Sequence, residues 1–334
     1  MKEFYRSKIK DLLRPGYYFC KDICDFQGRK RLKKNIILND SYLGKKVFLL
    51  LTGESLQQVN INKLKDEYTF GTGFVFLHKN IGKINLTFYM NPEPSKSFNP
   101  NNPNWPKSHL GPLGHDGVVA FYKAIDERLG NKTILILNSD NYKYIKNNKL
   151  FKDKIKYFVK GKKYLHVIEG VPYKIIAGLT KRSISGGGSV FFSILIMMYM
   201  GFKEIYLCGA GYTYEPVYNL HFYDNFVFPK SMGREKAEIE ARKAIDNINK
   251  KYFSSLEYYG FFEKDDLYRS ICVIRKDQDS NKDKHRILNN YARSQGVKIY
   301  NIVPDGFESP IYEKITWQEV ESKILPGNQK SGIL

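Results

Sequence analysis

Short apolar runs alternate with stretches of helical periodicity along the chain from Lys45 onward. The apolar runs are typical of strands that are buried on both faces of a sheet. The predicted strands lie in the segments KKVFLLL, FGTGFVFL, INLTFYM, KTILILN, KYLHVIE, KEIYLCG and VKIYNIV. Helical patterns separate several of them, as in DGVVAFYKAIDERLG, GGSVFFSILIMMYMG and HRILNNYARSQG. This alternation predicts an α/β fold with a doubly wound, mostly parallel sheet.

The same pattern divides the chain into four parts. Residues 1–44 are basic and weakly patterned, and we expect an N-terminal extension there. Residues 45–214 hold most of the predicted strands and form the expected core. Residues 215–284 separate the sixth and seventh predicted strands and predict a lid or small subdomain. Residues 285–334 then close the core with a helix and a strand, followed by a C-terminal tail.

Charge narrows the choice of partners. The chain has 334 residues and a formal net charge of +20, and five basic residues fall between Arg29 and Lys34. Such a surface favours an anionic partner. The sequence contains no helix-turn-helix, zinc-finger or RNA-binding signature, so we do not expect nucleic acid to be the partner. An anionic membrane or glycolipid surface fits the basic segment better.

Targeting and redox signals indicate a cytoplasmic protein. The four cysteines form no disulfide framework, and the segment MKEFYRSKIKDLL lacks the apolar core of a signal peptide. The longest apolar stretch, 190–200, is shorter than the roughly 20 residues that span a bilayer. We therefore expect a cytoplasmic protein with peripheral contact at the inner face of the membrane.

Candidate binding residues follow the predicted strands, because ligands of doubly wound sheets bind at the carboxyl ends of the strands. Gly53 and Ser55 form a strand-to-helix turn whose N–H groups suit a phosphate, although an ordinary turn explains them equally well. Asn91 follows another strand and can hydrogen-bond a base, a ribose or a sugar hydroxyl. An Asx-turn is the structural alternative for Asn91.

A more specific group precedes the apolar helix at 189–200. Ser185 is followed by three glycines, Gly186 to Gly188, and Arg182 supplies a cation nearby. Bare backbone, a hydroxyl and a positive charge together suit a carboxylate or a phosphate.

These motifs resemble a known enzyme family. The order TGESL, FYMNP, RSISG and GFKEIYLCG, followed by tyrosines, resembles the bacterial lipooligosaccharide sialyltransferases of glycosyltransferase family 42. It also resembles a related group that includes motility accessory factors and pterin pyrophosphokinase-like proteins. The resemblance covers residues 45–305 in patches and is strongest over 182–214. The extension 1–44 and most of 225–280 are outside it.

The resemblance implies a Rossmann-like transferase of the GT-A-variant type. Such an enzyme moves a sialic-acid-like (nonulosonic) sugar from a CMP-activated donor to a cell-surface glycan or glycolipid acceptor, without metal or another cofactor. Tyr212 and Tyr214 would contact the donor phosphate and assist the leaving group. The implied substrate-binding residues are Gly53, Glu54, Ser55, Asn91, Arg182, Ser185, Gly186 and Gly187.

The resemblance leaves several points open. A histidine near neutral pKa suits the general base, and His285 and His221 are the candidates, with His285 the closer match in chain order. Glu54 stands where the family usually has asparagine, which places a negative charge near a phosphate. An ATP-dependent pterin pyrophosphokinase and a non-catalytic nucleic-acid-binding protein are the alternative functions. A homo-oligomer is compatible with the sequence, but neither the acceptor nor the oligomeric state follows from it.

Overall fold

A single eight-stranded parallel sheet organises the protein. The structure is a computed structural model that describes residues 20, 24–91, 122–162, 178–181, 183–184, 188–210 and 282–325. The strand order is β10-β9-β8-β1-β2-β3-β4-β5, and every neighbouring pair is parallel. The strands are β1 Lys46–Leu50, β2 Thr69–Thr72, β3 Phe88–Asn91, β4 Ile134–Asn138, β5 Lys156–Val159, β8 Glu204–Cys208, β9 Lys298–Ile302 and β10 Glu313–Ile315.

A second, two-stranded parallel sheet pairs β6, Gly161–Lys162, with β7, Ser183–Ile184. In the main sheet the chain adds β2 to β5 on one side of β1 and then β8 to β10 on the other side. The order of addition reverses between β1 and β8. The predicted doubly wound α/β fold is confirmed, and the main sheet is wholly parallel.

Helices cover both faces of the sheet. They are α1 Phe26–Lys33, α2 at 122–128, α3 Tyr142–Asn147, α4 Gly188–Tyr199, α5 at 282–294 and α6 Trp317–Glu319, with 3₁₀ segments at Lys34–Leu38, Glu54–Gln58, Ile61–Leu64, Gly73–Leu77, Ile81–Lys83 and Ser139–Asn141 and a π-helical turn at Val320–Ile324. Among these described helices none is long and apolar enough to cross a bilayer.

Alternate side chains of β1 supply two separate cores. Phe48 and Leu50 pack into the core on one face, and Val47 and Leu49 pack into the core on the other. All four side chains are fully buried. This burial on both faces explains why the strand appears in the sequence as an uninterrupted apolar run.

The second predicted strand is shorter than expected. The segment FGTGFVFL was expected to be extended throughout, but β2 ends at Thr72 and a 3₁₀ segment begins at Gly73. Gly73 has a φ of +63°, a backbone conformation that ends an extended run. The chain then folds back over Gly71, where a Cβ atom would lie 2.8 Å from Val75 Cγ1. Gly71 therefore makes room for the turn that shortens the strand.

Two strands of the main sheet were not predicted from the sequence. β5 lies in the segment KIKYFVKG, and β10 has only three residues. Both are edge strands of the sheet, and each has half-buried or exposed positions. The predicted strand KYLHVIE and the predicted lid up to residue 281 lie outside the described residues.

The turns after β1 and β8 meet at the point where the strand order reverses. Leu51 N–H donates to Cys208 O at 2.8 Å, and Gly53 N–H donates to Gly209 O at 2.9 Å. Gly209 has a φ of +87°, and a Cβ atom there would lie 2.9 Å from Leu51 O and 3.1 Å from Gly53 O. The backbone of β1 approaches this closely because position 209 has no side chain.

We expect Gly209→Ala to destabilise the fold far more than Gly306→Ala. Both glycines have positive φ, so both substitutions cost roughly 1–2 kcal/mol of backbone strain. A Cβ atom at position 306 meets nothing within 4 Å, whereas at position 209 it meets two backbone carbonyls. The free energy of unfolding should fall by about 3 kcal/mol or more for Gly209→Ala. Urea unfolding measures both values, and equal losses would contradict this account of the junction.

A buried histidine should make stability depend on pH. His78 follows the 3₁₀ segment Gly73–Leu77, and its Nδ1 accepts a hydrogen bond from Asn80 N–H at 3.2 Å. Burial, with a smaller contribution from Lys79, lowers the pKa of His78 from 6.5 to about 4. The imidazole therefore stays neutral in the fold while it becomes protonated in the unfolded chain, so its contribution is complete above pH 6.5 and is lost as pH falls towards 4.

The comparison of wild type with His78→Gln isolates this contribution from that of the carboxyl groups. We expect the free energy of unfolding to fall more for the wild type than for His78→Gln as pH falls from 6.5 to 4. Thermal unfolding across this pH range measures the difference. A difference that is independent of pH would contradict the prediction.

Candidate functional site

The carboxyl ends of β1 and β3 place two of the predicted binding segments on one edge of the sheet. The turn Thr52–Ser55 follows β1, and Asn91 is the last residue of β3, two strands away. All strands are parallel, so both segments lie at the edge where ligands of doubly wound sheets bind. The junction of β1 with β8, where the strand order reverses, lies at the same edge.

The Gly53 N–H is committed to the sheet rather than directed at a ligand. It donates to Gly209 O at 2.9 Å, as described above. A phosphate at this turn would therefore need other donors, and a short 3₁₀ helix over Glu54–Gln58 supplies the next N–H groups. The prediction that Gly53, Glu54 and Ser55 line the substrate stays a prediction.

Ser55 lines a cleft of about 200 Å³. The cleft lies between the 3₁₀ segment after β1 and the chain that leaves β9 and β10. Its lining consists of Ser55, Gln58, Ile302, Val303, Pro304, Asp305, Thr316, Trp317 and Gln318. Ser55 is only 4% exposed, and neither its Oγ nor the indole Nε1 of Trp317 has a hydrogen-bond partner among the described residues.

The chemistry of this cleft suits hydroxyl groups. A buried polar atom without a partner costs about 1–3 kcal/mol, so the Ser55 Oγ and the Trp317 Nε1 gain from any polar partner that reaches them. Serine both donates and accepts, the indole N–H donates, and the glutamine amides do both. The lining contains one carboxylate, Asp305, and no cation. Such a lining favours a neutral, hydroxyl-bearing group over a phosphate.

Sequence reasoning missed the far wall of the cleft. Asp305, Trp317 and Gln318 were not among the predicted site residues. Trp317 and Gln318 follow β10, which was not recognised, whereas Asp305 follows the predicted strand β9. A signal was present in TWQE, where Thr316 and Glu319 form a capping box. Thr316 Oγ1 accepts from Glu319 N–H at 3.3 Å, and the Glu319 carboxylate accepts from Thr316 N–H at 3.0 Å. This box starts the helical turn that presents Trp317 to the cleft.

Asn91 is buried at the end of β3. Its residue is 5% exposed and lies beside Leu137 in the register of β3 with β4. One residue earlier, the Met90 carbonyl accepts a hydrogen bond from Thr72 Oγ1 at 3.1 Å. These strand contacts fix the backbone of Asn91 at the carboxyl end of β3. Its role as a donor-binding residue stays a prediction.

His285 is packed inside the protein near the start of α5. The residue has no exposed surface, and its Nδ1 hydrogen-bonds the Tyr312 hydroxyl. The Phe191 ring, in the first turns of α4, lies edge-on with centroids 6.0 Å apart. These contacts hold the imidazole against α4. The core around α4 lies on one face of the sheet, and the core beside the Ser55 cleft lies on the other face. A role as general base would require a movement that opens this packing, and it stays a prediction.

The other predicted site residues lie outside the described residues. They are Arg182, Ser185, Gly186, Gly187, Tyr212, Tyr214 and His221. The described chain resumes at α4, which begins at Gly188 with a φ of +82° and no atom within 4 Å of a Cβ position. The helix therefore begins on the last of the three glycines, one residue before the predicted start at 189.

The side chains of the segment NSD, at 138–140, make a hydrogen bond and an ion pair within the fold. The Asn138 side chain accepts from Asp140 N–H at 2.9 Å and begins a 3₁₀ turn. Lys160 pairs with Asp140 at 3.1 Å and with Asp25 at 2.6 Å. Within the described ranges there is no cluster of three His, Cys, Asp or Glu residues that could hold a metal ion.

Comparisons with known proteins find likeness in solved structures only. No family model matches the chain, and a search of curated proteins finds no significant match. A variant of the sialyltransferase CST-II in complex with CMP is 13% identical, with 81% of this chain and 86% of that chain covered and a TM-score of 0.35. CST-II with a trisaccharide acceptor and CMP is 16% identical over 62% and 78%, with a TM-score of 0.29. CstII from Campylobacter jejuni with cytidine-5'-monophosphate is 16% identical over 63% and 77%, with a TM-score of 0.26. These scores are too low to carry an argument about this chain.

The unpartnered Ser55 hydroxyl should contribute nothing to stability in the absence of ligand. We expect Ser55→Ala to leave the free energy of unfolding unchanged or to raise it by up to about 1 kcal/mol, because it removes a buried group without a partner. Thr133→Val is the matched control, since Thr133 Oγ1 donates to Leu86 O at 2.7 Å in a buried site. Valine there should cost about 1 kcal/mol. Chemical unfolding measures both, and a clear loss for Ser55→Ala would show that its hydroxyl has a partner in the fold.

Proposed function

We propose that the chain is a glycosyltransferase that moves a sialic-acid-like sugar from a CMP-activated donor to a glycan or glycolipid acceptor. One observation carries the proposal. The motifs TGESL and FYMNP and the strand of GFKEIYLCG, which resemble those of the family 42 sialyltransferases, end at one carboxyl edge of the parallel sheet, around the junction of β1 with β8. The Ser-Gly motif comes directly before α4, which packs on the same sheet.

In this proposal the carboxyl edge of the sheet has two binding regions, one for the donor and one for sugar hydroxyls. The donor lies towards β3 and the start of α4, where the Asn91 amide hydrogen-bonds the nucleoside or the sugar. Ser185 and Arg182 hold the sugar carboxylate, and Tyr212 and Tyr214 hydrogen-bond the phosphate as it leaves. The hydroxyl-binding cleft at Ser55, on the other side of the β1 turn, receives sugar hydroxyls.

The reaction is a displacement at the anomeric carbon. A histidine takes the proton from the acceptor hydroxyl, whose oxygen forms the new bond to that carbon. The bond from the carbon to the phosphate oxygen breaks, and CMP leaves with the bonding electrons. Tyrosine hydroxyls stabilise the developing charge without a metal ion. Either His285, after a movement, or His221 acts as the base.

Ligand-induced stabilisation tests the donor site. At about 100 times its dissociation constant, CMP should add roughly 2.7 kcal/mol to the free energy of unfolding, with or without magnesium. We expect Asn91→Ala to reduce this shift, because it removes a proposed contact to the nucleoside, and Ser185→Ala to keep it, because CMP lacks the sugar carboxylate that Ser185 would hold. Ser189→Ala, four residues further along, is the matched control and should keep the shift. Differential scanning fluorimetry with CMP, UDP, GDP and ATP measures these values.

Two outcomes would overturn the proposal. A shift that occurs only with ATP and magnesium would indicate a pyrophosphokinase. A CMP shift that is equal in all three variants would place the nucleotide elsewhere. A positive result leads to an assay of CMP release from a CMP-activated donor with glycan acceptors, where the same two variants should be slower than Ser189→Ala.

A further inference from the structure

The segment from Phe26 to Leu43 forms one outward surface of the protein. Its inward side carries the buried residues Gly28, Leu32, Asn35 and Leu38, which recur at helical spacing. Leu38 packs into the core that surrounds α4. The remaining positions of α1 and of the 3₁₀ segment Lys34–Leu38 therefore face away from the fold.

This surface exposes large apolar side chains. Exposure is 67% for Phe26, 64% for Ile36, 67% for Ile37 and 63% for Leu43. They are four of the six large apolar side chains that are exposed in the described part of the chain. Such a concentration in one short segment marks an interaction surface, since scattered single residues are the usual case.

Basic side chains lie between the apolar ones. At 3.6 residues per turn, Lys30 and Lys33 fall on the side of α1 opposite the buried residues. Phe26 precedes them and Ile37 follows them along the same side. We define the basic–apolar face by its exposed members, which are Phe26, Arg29, Lys30, Lys33, Lys34, Ile36, Ile37 and Leu43.

The basic–apolar face is held firmly on the core. The Asn35 side chain donates to Phe158 O at 2.7 Å and to Leu179 O at 2.9 Å. Asp25 caps α1 through Gly28 N–H at 2.8 Å and pairs with Lys160 at 2.6 Å. Burial would raise the pKa of Asp25, but these partners lower it overall, so the carboxylate stays charged.

The far end of the face is fixed as well. Asp40 N–H donates to Tyr199 O at 3.1 Å, and Tyr42 N–H donates to Met200 O at 2.8 Å. The Tyr42 ring stacks on Phe202 with centroids 5.0 Å apart. The segment is therefore anchored at both ends and presents its exposed side chains on a supported surface.

We propose that the basic–apolar face docks on an anionic lipid bilayer. The apolar side chains enter the boundary between headgroups and acyl chains, and the lysines and arginines contact the anionic headgroups. A second copy of the chain is disfavoured on the same face, because the two basic clusters would repel each other. Nucleic acid would satisfy the charges but leave Ile36 and Ile37 against water or phosphate. This docking does not depend on the identity of the donor.

Vesicle co-sedimentation of the full chain tests the docking. The probes are vesicles of phosphatidylcholine alone and vesicles of phosphatidylcholine and phosphatidylglycerol in equal parts, at low ionic strength. We expect the protein to sediment with the anionic vesicles and not with the neutral ones. Binding should weaken with added salt, because the headgroup contacts are screened.

Paired variants separate this face from the general positive charge. Lys30→Glu with Lys33→Glu should weaken binding by at least the roughly fivefold per removed charge expected near an anionic surface. The matched control, Lys79→Glu with Lys83→Glu, makes the same change in net charge on an exposed site elsewhere and should bind almost as the wild type does. Ile36→Ser with Ile37→Ser should also weaken binding, whereas Ile155→Ser, at a separate exposed apolar residue, should not. Thermal midpoints confirm that each variant folds.

Four results would overturn the proposal. In the first, the wild type does not bind anionic vesicles. In the second, the two pairs of lysine substitutions weaken binding equally. In the third, light scattering would show a dimer that Ile36→Ser with Ile37→Ser dissociates, which would assign the face to self-association. Binding to a single-stranded oligonucleotide that survives the isoleucine changes, without vesicle binding, would likewise assign the charges to nucleic acid.

Discussion

The pairing of β1 with β8 is the constraint on which the rest of the structure depends. It is the single seam between the strands laid down on one side of β1 and those added later on the other side. Two backbone hydrogen bonds extend it past the strand ends, and the absence of a side chain at Gly209 allows that approach. The strand order reverses at the same seam, and the candidate site lies at its carboxyl end. Closure of the sheet and the position of the candidate site therefore have one physical origin.

The central strands and the helix α4 could be predicted because they are buried on all sides. β1, β4 and β8 are uninterrupted apolar runs, and their burial on both faces leaves the sequence no other pattern. Edge strands have no such requirement. β10 is three residues long and exposes two of them, so neither length nor alternation marked it. β2 ended early because of two glycines whose effect depends on the turn that packs over them.

The candidate site could be predicted only where a motif lies at the end of a recognised strand. Ser55 and Asn91 were chosen as candidates because each follows an apolar run. Trp317 was missed because it reaches the cleft from the edge strand β10, and a single sequence does not show which distant segments meet there. The hydrogen bond from the Gly53 N–H to Gly209 O could not be predicted from the sequence either. A hydrogen bond between two turns depends on strand order, which the sequence pattern leaves open.

The basic–apolar face and the candidate site are related by the direction of α1. The start of α1 is tied to Lys160, just beyond the carboxyl end of β5, and Arg31 lies 4.5 Å over the Tyr142 ring, after β4. The later residues 40–44 bond to 199–201, before β8 begins. The face therefore runs from the carboxyl edge of the sheet towards its amino edge. Leu38 packs into the core around α4, so a bilayer held against this face lies on the α4 side of the sheet, while the core beside the Ser55 cleft lies on the other side.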